Sequence, residues 1–214
     1  MKEALAKILE EGVVPVIRVA SAEEAMGVAQ ALKEGGISVI EVTMTVPGAM
    51  EVIQEVSQRF KNRVHLGAGT VLDPETARLA LLHGARFLVT PSLNLETIRL
   101  ANRYGAVVIP GALTPTEIVT AWEAGADLVK VFPIGQVGGP AYIRAIKAPL
   151  PQIPLVPTGG VNLQNAGEYI QAGAAAIAAG GELVDKKAVA EKKFSIVADN
   201  ARRFIEEVKK ARQR

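Results

Sequence analysis

Short runs of apolar, largely β-branched residues recur along the chain, and segments with helical spacing separate them. Eight such runs can be distinguished, and their first residues lie about 19 to 26 positions apart. The runs cover residues 13–19, 39–44, 65–70, 87–91, 106–113, 128–133, 154–160 and 175–180. Near-continuous apolar strands are typical of parallel sheets that are covered on both faces.

The segments between these runs carry helix start and stop signals. Three of these segments begin with Ser, Asp or Thr, have Glu two or three positions later, and contain Gly near their ends. They are residues 21–36, 73–85 and 114–126. Eight strand–helix units without a break in composition predict one domain over residues 1–214. We expect an α/β fold, a single (β/α)8 TIM barrel with an extra N-terminal helix. An open doubly wound sheet is the alternative that the spacing leaves open.

Composition narrows the possible functions. The chain is 49% hydrophobic, and its 24 Lys and Arg against 22 Asp and Glu give a net charge of +2, so no nucleic-acid partner is expected. The absence of cysteine excludes disulfides and thiol nucleophiles, and two histidines are too few for a His-rich metal centre. No apolar run approaches the roughly 18 residues of a membrane span. We expect a cytoplasmic protein without a membrane partner or a metal.

Two charged residues interrupt the apolar strands. Lys130 lies within the segment ADLVKVFP, residues 126–133, and Glu41 lies within the second run. Strand alternation places Lys130 on the face opposite Val129 and Val131, whose shape suits the outer helices, so the lysine should point into the barrel. A structural ion pair between Lys130 and Glu41 is one interpretation. Because strongly perturbed groups concentrate at functional sites, a catalytic pair is the other.

Glycine-rich turns follow the last two strands. The sequences PTGG (157–160) and AGG (179–181) place Thr158 and four glycines, Gly159, Gly160, Gly180 and Gly181, at strand ends. The loops after strands 7 and 8 of such barrels often bind phosphate through backbone N–H groups. Simple chain turns are the alternative, and two such turns on successive strands favour phosphate binding.

Two further polar residues fall near strand ends. Thr70 closes the segment GAGT (67–70), where its hydroxyl and the neighbouring amides could bind a carboxylate, although a tight strand end would also explain the sequence. Arg18, near the end of the first strand, could bind a carboxylate or a phosphate, or it could pair with Glu41.

The chemistry that fits these residues begins with the lysine. Burial lowers the pKa of an amine, and a neutral amine can attack a ketone to form a Schiff base. The protonated imine accepts electrons when the adjacent carbon–carbon bond breaks, so neither a metal nor a cofactor is needed. Glu41 would transfer protons, through water. The residues therefore suggest a class I aldolase, a lyase that acts on a phosphorylated 2-keto acid.

The chain also resembles a known family in the segments IEVTMTVP, GAGTV, VTPSL, IPGALTPTE, VKVFP, PTGGVN and GELV. It is similar to the 2-keto-3-deoxy-6-phosphogluconate (KDPG) aldolases, whose family includes phosphogalactonate and 4-hydroxy-2-oxoglutarate aldolases. The resemblance implies a homotrimer that cleaves its substrate to pyruvate and glyceraldehyde 3-phosphate. It also implies Lys130 as the Schiff-base lysine, Glu41 as acid and base, Thr70 as carboxylate ligand, Thr158, Gly159 and Gly160 as phosphate ligands, and Pro91 and Phe132 as pocket lining.

Two positions depart from the family pattern. Many members carry Arg at the position of Thr45, and we expect Arg18 to take over its role. Gly181 stands where the family usually has a phosphate-binding Ser, so phosphate binding or substrate choice should differ. The alternatives are a sister aldolase for the galactonate epimer or 4-hydroxy-2-oxoglutarate, a non-catalytic barrel scaffold of natural or engineered origin, and a pyridoxal-phosphate barrel.

Overall fold

The strands of the computed structural model, which describes residues 2–213, fall within the eight apolar runs. They are Val13–Ile17 (β1), Val39–Thr43 (β2), His65–Gly69 (β3), Phe87–Val89 (β4), Val107–Ile109 (β5), Gly111–Ala112 (β6), Val129–Val131 (β7), Leu155–Pro157 (β8) and Ile177–Ala179 (β9). The fifth run gives two strands because Pro110, which has no N–H to donate, separates β5 from β6.

Helices alternate with the strands, and one precedes the first strand as predicted. They are Glu3–Glu11 (α1), Ala22–Glu34 (α2), Ala49–Phe60 (α3), Pro74–Leu82 (α4), Leu95–Arg103 (α5), Pro115–Glu123 (α6), Pro140–Lys147 (α7), Ala166–Gln171 (α8), Lys186–Ala190 (α9) and Phe194–Arg212 (α10). The predicted caps are confirmed, since Ser21, Asp73 and Thr114 each accept a hydrogen bond from the backbone three residues later. Within residues 2–213, no helix has both the length and the apolar character that a bilayer crossing needs.

All strand pairs are parallel, which confirms the α/β class. One sheet has six strands in the order β5-β4-β3-β2-β1-β9, and a second has three in the order β6-β7-β8. A single further bridge joins Thr158, just after β8, to Ala178 in β9. The expected continuous barrel ladder is thus divided into two sheets, because the strands from β4 onward are only two or three residues long.

The buried side chains form two separate cores. The larger core lies between the strands and the surrounding helices, and Val129 and Val131 belong to it. The smaller core contains side chains from both sheets, including Phe87 and Val156. The side chains of helix α1 pack into this inner core and cover the amino-terminal ends of the strands; they are Ala4, Leu5, Ile8 and Leu9. The opposite, carboxyl-terminal ends remain available for a site.

Candidate active site

Lys130 is buried at the centre of β7 and is 7% exposed. Its backbone pairs with β6 on one side and with β8 on the other, so the ammonium group has little freedom to reach solvent. Nζ lies 4.9 Å from the centroid of the Phe132 ring. Burial lowers the pKa of Lys130, the nearby Glu41 carboxylate opposes this shift, and the Arg18 guanidinium adds to it. The surroundings therefore favour a neutral amine.

Glu41 occupies the centre of β2 and is 1% exposed. Its Oε2 has no hydrogen-bond partner among residues 2–213. Burial raises the pKa of Glu41, and the charges of Lys130 and Arg18 partly oppose this shift. A raised pKa brings the titration of this carboxyl group closer to neutral pH than that of an ordinary glutamate, which suits a general acid–base.

The surrounding backbone makes room for this carboxyl group. A Cβ placed on Gly69 of the neighbouring strand β3 would overlap Glu41 Oε1. Within residues 2–213, no oxygen of Glu41 comes within 4.0 Å of the Lys130 ammonium. The geometry is therefore not that of a tight structural ion pair.

Arg18 and Thr70 each follow a strand at the carboxyl-terminal side. Arg18, directly after β1, is exposed and forms no ion pair within the described chain, although its charge reaches both Lys130 and Glu41. Pairing between Arg18 and Glu41 is therefore not observed. Thr70, directly after β3, has φ +57°, a left-handed conformation that costs a non-glycine residue about 1 kcal/mol. Strain of this kind is frequent at functional sites.

A cavity of about 310 Å³ opens beside these strand ends. Six residues predicted for the site line it: Arg18, Phe132, Thr158, Gly159, Gly180 and Gly181. The other residues predicted for the site do not line this cavity; they are Glu41, Thr70, Pro91, Lys130 and Gly160. Phe132 lines the cavity and its ring also lies beside the Lys130 ammonium, so one side chain stands between the cavity and the buried amine. Pro91 lies after β4, where a Cβ on Gly111 would overlap its backbone.

The glycine turns present free backbone donors. Gly159 and Gly160 have φ of +88° and +83°, so the chain reverses there at no steric cost. Within residues 2–213, the amides of Gly159, Gly160, Gly180 and Gly181 donate to no backbone or side-chain acceptor outside the strand ladders. Amides in such turns are suited to an anion, since they bring donors without a net charge.

Sequence reasoning missed three residues of the cavity lining, namely Val16, Val184 and Lys186. Lys186 is the first residue of α9, and its sequence context, DKK, resembles an ordinary solvated helix start. Lys186 reaches the cavity only through the path that the chain takes between β9 and α9, which the sequence does not reveal. Val16 could have been found from strand alternation, since it shares a face with Arg18.

Comparisons with known proteins agree with this arrangement. A sequence profile of the KDPG and KHG aldolase family, KHG being 4-hydroxy-2-oxoglutarate, matches residues 5–199. A 2-dehydro-3-deoxy-phosphogluconate aldolase of Treponema pallidum (strain Nichols) is 37% identical over 185 residues, which cover 86% of this chain and 88% of the relative.

Solved structures agree as well. KDPG aldolase from Legionella pneumophila, with pyruvate captured at low pH as a covalent carbinolamine intermediate, superposes with a TM-score of 0.87 at 29% identity, over 94% of this chain and 97% of that one. A cube-shaped, highly porous protein cage, designed by fusing symmetric oligomeric domains, contains a chain that superposes with a TM-score of 0.86 at 31% identity, over 94% of this chain and 73% of that one.

A parallel α/β fold with a buried, pKa-shifted lysine at the strand ends is the architecture of a class I, Schiff-base aldolase. The protein is a lyase of that class. More narrowly, the chain belongs to the KDPG and KHG aldolase family.

Proposed function

We propose that this protein reversibly cleaves KDPG to pyruvate and glyceraldehyde 3-phosphate through an imine on Lys130. The observation that carries the proposal is the burial of Lys130, 7% exposed, against the Phe132 ring, which itself lines the open cavity together with Arg18. Burial and the Arg18 charge both lower the pKa of the amine, which increases the fraction of the nucleophilic, neutral form.

In the cleavage direction, the Lys130 amine adds to the C2 ketone, and the resulting carbinolamine loses water to give a protonated imine. Removal of the C4 hydroxyl proton then breaks the C3–C4 bond. The electron pair of that bond moves to C3 and into the imine as an enamine, while C4 leaves as the aldehyde carbon. Protonation at C3 and hydrolysis of the imine release pyruvate and restore the amine. Because the imine accepts the electrons, we propose that the reaction requires neither a metal nor a cofactor.

The remaining residues have roles that follow from their positions. Glu41 would move protons through a water molecule, since its carboxyl group lies beyond 4.0 Å from the ammonium. Thr70 and Arg18 would bind the substrate carboxylate, and Phe132 would form a wall of the pocket. Pro91 lies outside the cavity lining, just after β4, and would border the pocket only once substrate is bound. The turn residues would bind the distal phosphate; they are Thr158, Gly159, Gly160, Gly180 and Gly181.

The two sheets are best explained as one closed (β/α)8 barrel that makes up a single domain over residues 1–214. The bridge between Thr158 and Ala178 joins β8 to β9, and only Pro110 separates β5 from β6. The inner core supports the same conclusion, because side chains from both sheets contribute to it. In a closed barrel, Lys130 and Glu41 face each other across the interior. We also infer a cytoplasmic location, where phosphorylated sugar acids are retained.

Borohydride reduction in the presence of pyruvate tests the proposed chemistry. The imine would be reduced to a stable secondary amine, and peptide mass mapping should place the pyruvyl adduct on Lys130. The control is the same reaction without pyruvate. An adduct on another lysine would reassign the nucleophile, and the lack of any adduct would exclude an imine mechanism and favour the scaffold or pyridoxal-phosphate alternatives, the latter with absorbance near 400 nm.

The choice of substrate requires a separate comparison. The turnover of KDPG, its C4 epimer 2-keto-3-deoxy-6-phosphogalactonate, and unphosphorylated 4-hydroxy-2-oxoglutarate should be measured under identical conditions. We expect KDPG to give the highest kcat/KM. A higher value for the epimer or the unphosphorylated acid would assign the protein to the corresponding sister activity within the family.

We also propose a homotrimer that uses an exposed apolar face on α4 and the start of α5. This face contains four exposed leucines: Leu72, Leu79, Leu82 and Leu95, at 60%, 49%, 61% and 36% exposure. Exposed large apolar side chains that cluster in the chain in this way are typical of a protein interface. The related chain in the designed cage comes from an assembly of symmetric oligomeric domains, which supports an oligomer built from copies of one chain.

Replacing Leu79 with lysine should therefore dissociate the trimer. Light scattering after size exclusion should give three times the 22.6 kDa chain mass for the unmodified protein and a mass near that of one chain for the variant. Ile196 in α10 is also exposed, at 41%, but lies outside this face, so Ile196→Lys is the control and should keep the larger mass. An unchanged mass for Leu79→Lys would place the interface elsewhere.

A further inference from the structure

The outer part of the active-site cavity is positively charged. Arg18 and Lys186 are the charged residues of its lining, and the other lining residues are apolar, glycine or threonine. Neither cation forms an ion pair with a carboxylate in residues 2–213. Two uncompensated cations at the mouth of a cavity favour an anionic ligand there.

Within residues 2–213, the neighbouring carboxylates form no ion pair with Lys186. Asp185 accepts a hydrogen bond from the Ala188 amide at 2.6 Å and so caps α9. Glu182 is exposed and does not line the cavity. In the part of the chain that the structure describes, Lys186 and Arg18 are thus the two cations on the wall of the cavity that also contains the turn at Gly180 and Gly181.

That turn has free volume and no side-chain donor. A Cβ placed on Gly180 or Gly181 would meet no atom within 4 Å. A hydroxyl-bearing residue would fit at Gly181, yet the chain leaves the position empty and places a lysine five residues later on the same cavity wall. A flexible ammonium group can reach into this space and binds a phosphate as a point charge.

This inference rests on the proposed aldolase function. We propose that Lys186 is a specificity-determining residue, which binds the distal anionic group of the substrate and selects a dianionic phosphate over a terminal carboxylate. Arg18, at the carboxyl-terminal end of the neighbouring strand β1, contributes the second positive charge of the cavity. The reacting carbon at Lys130 lies deeper, so Lys186 acts on substrate binding and not on the chemical step.

Steady-state kinetics of Lys186→Ala tests this role. We expect KM for KDPG to rise about fivefold with kcat within twofold of the unmodified enzyme, which is the upper size of one lost charged contact at an accessible site. KM for unphosphorylated 4-hydroxy-2-oxoglutarate should change less than twofold, because its shorter chain ends in a singly charged group. Lys186→Arg should restore most of the affinity, and the effect should shrink at high salt as screening increases.

Lys187 provides a matched control. It is also an exposed lysine of α9, but it does not line the cavity, so Lys187→Ala should leave both KM values within twofold. Equal effects of the two variants on KM would show that Lys186 acts only through the general positive charge of the surface, and this would overturn the proposal. An unchanged KM for KDPG in Lys186→Ala would also overturn it. The pyruvate adduct on Lys130 distinguishes a failure of the aldolase mechanism from a failure of the role proposed for Lys186. Absence of the adduct from the unmodified enzyme refutes the mechanism. Its presence, together with an unchanged KM in Lys186→Ala, refutes only the role of Lys186.

Discussion

Replacement of Lys130 by methionine is expected to reduce turnover of KDPG by at least about 10⁴-fold, the scale on which loss of a catalytic nucleophile acts. Methionine matches the length of the lysine stem and is apolar, so it should fill the same buried position in β7. The variant should therefore remain folded. Turnover, borohydride trapping and thermal unfolding should be measured on the same preparation, so that lost chemistry is distinguished from lost structure.

Lys147 supplies the control for this experiment. Burial also lowers the pKa of Lys147, but its ammonium donates to the carbonyls of Pro151 and Ile153, at 2.7 and 2.9 Å, and lies outside the cavity. Lys147→Met should keep its turnover. A Lys130→Met variant that remained within tenfold of the unmodified enzyme would show that the amine is a structural charge, and a pKa shift alone would then have misidentified the site.

Replacement of Glu41 by glutamine is expected to lower kcat by about 10²- to 10⁴-fold, the usual contribution of a general acid–base. It should also change the pH dependence of imine formation in a defined direction. The negative charge of Glu41 raises the pKa of Lys130 against the effect of burial. Without that charge the pKa of Lys130 falls further, so the neutral amine persists to lower pH.

The rate of pyruvate trapping by cyanoborohydride should be measured against pH for this comparison. The quantity to compare is the pH at the midpoint of the acid side of this rate profile, not the absolute rate. In Glu41→Gln this midpoint should move to lower pH. Arg18→Met should move the midpoint to higher pH, because the Arg18 charge lowers the pKa of Lys130. Two variants that shift the midpoint in the same direction would contradict the electrostatic coupling of the three groups.

Much of the fold could be predicted from the chain because local signals agree with one another. The eight apolar runs all contain strands, and the caps at Ser21, Asp73 and Thr114 begin the helices where expected. The alternation around Lys130 also placed Val129 and Val131 correctly in the outer core. The division of the ladder into two sheets could not be foreseen, since the length of paired strand depends on twist and on neighbours that are distant in sequence.

The candidate site was less fully predictable. Residues inside strands, such as Lys130 and Glu41, stand out because charge is costly in a buried position. Lys186 lies in a polar segment where charge is ordinary, and only the three-dimensional path of the chain brings it to the cavity. Whether Arg18 paired with Glu41 also depended on side-chain geometry, which strand periodicity does not determine.

Helix α1 has a consequence for the order of events during turnover. Because its side chains cover the amino-terminal strand ends, substrates and products pass through the carboxyl-terminal opening. In the proposed mechanism, the three-carbon fragment is still covalently attached to Lys130 after carbon–carbon cleavage, while the aldehyde lies nearer the opening. The aldehyde therefore departs first and pyruvate last. In the condensation direction, pyruvate must therefore bind before the aldehyde. An excess of the aldehyde would occupy the opening and delay the entry of pyruvate.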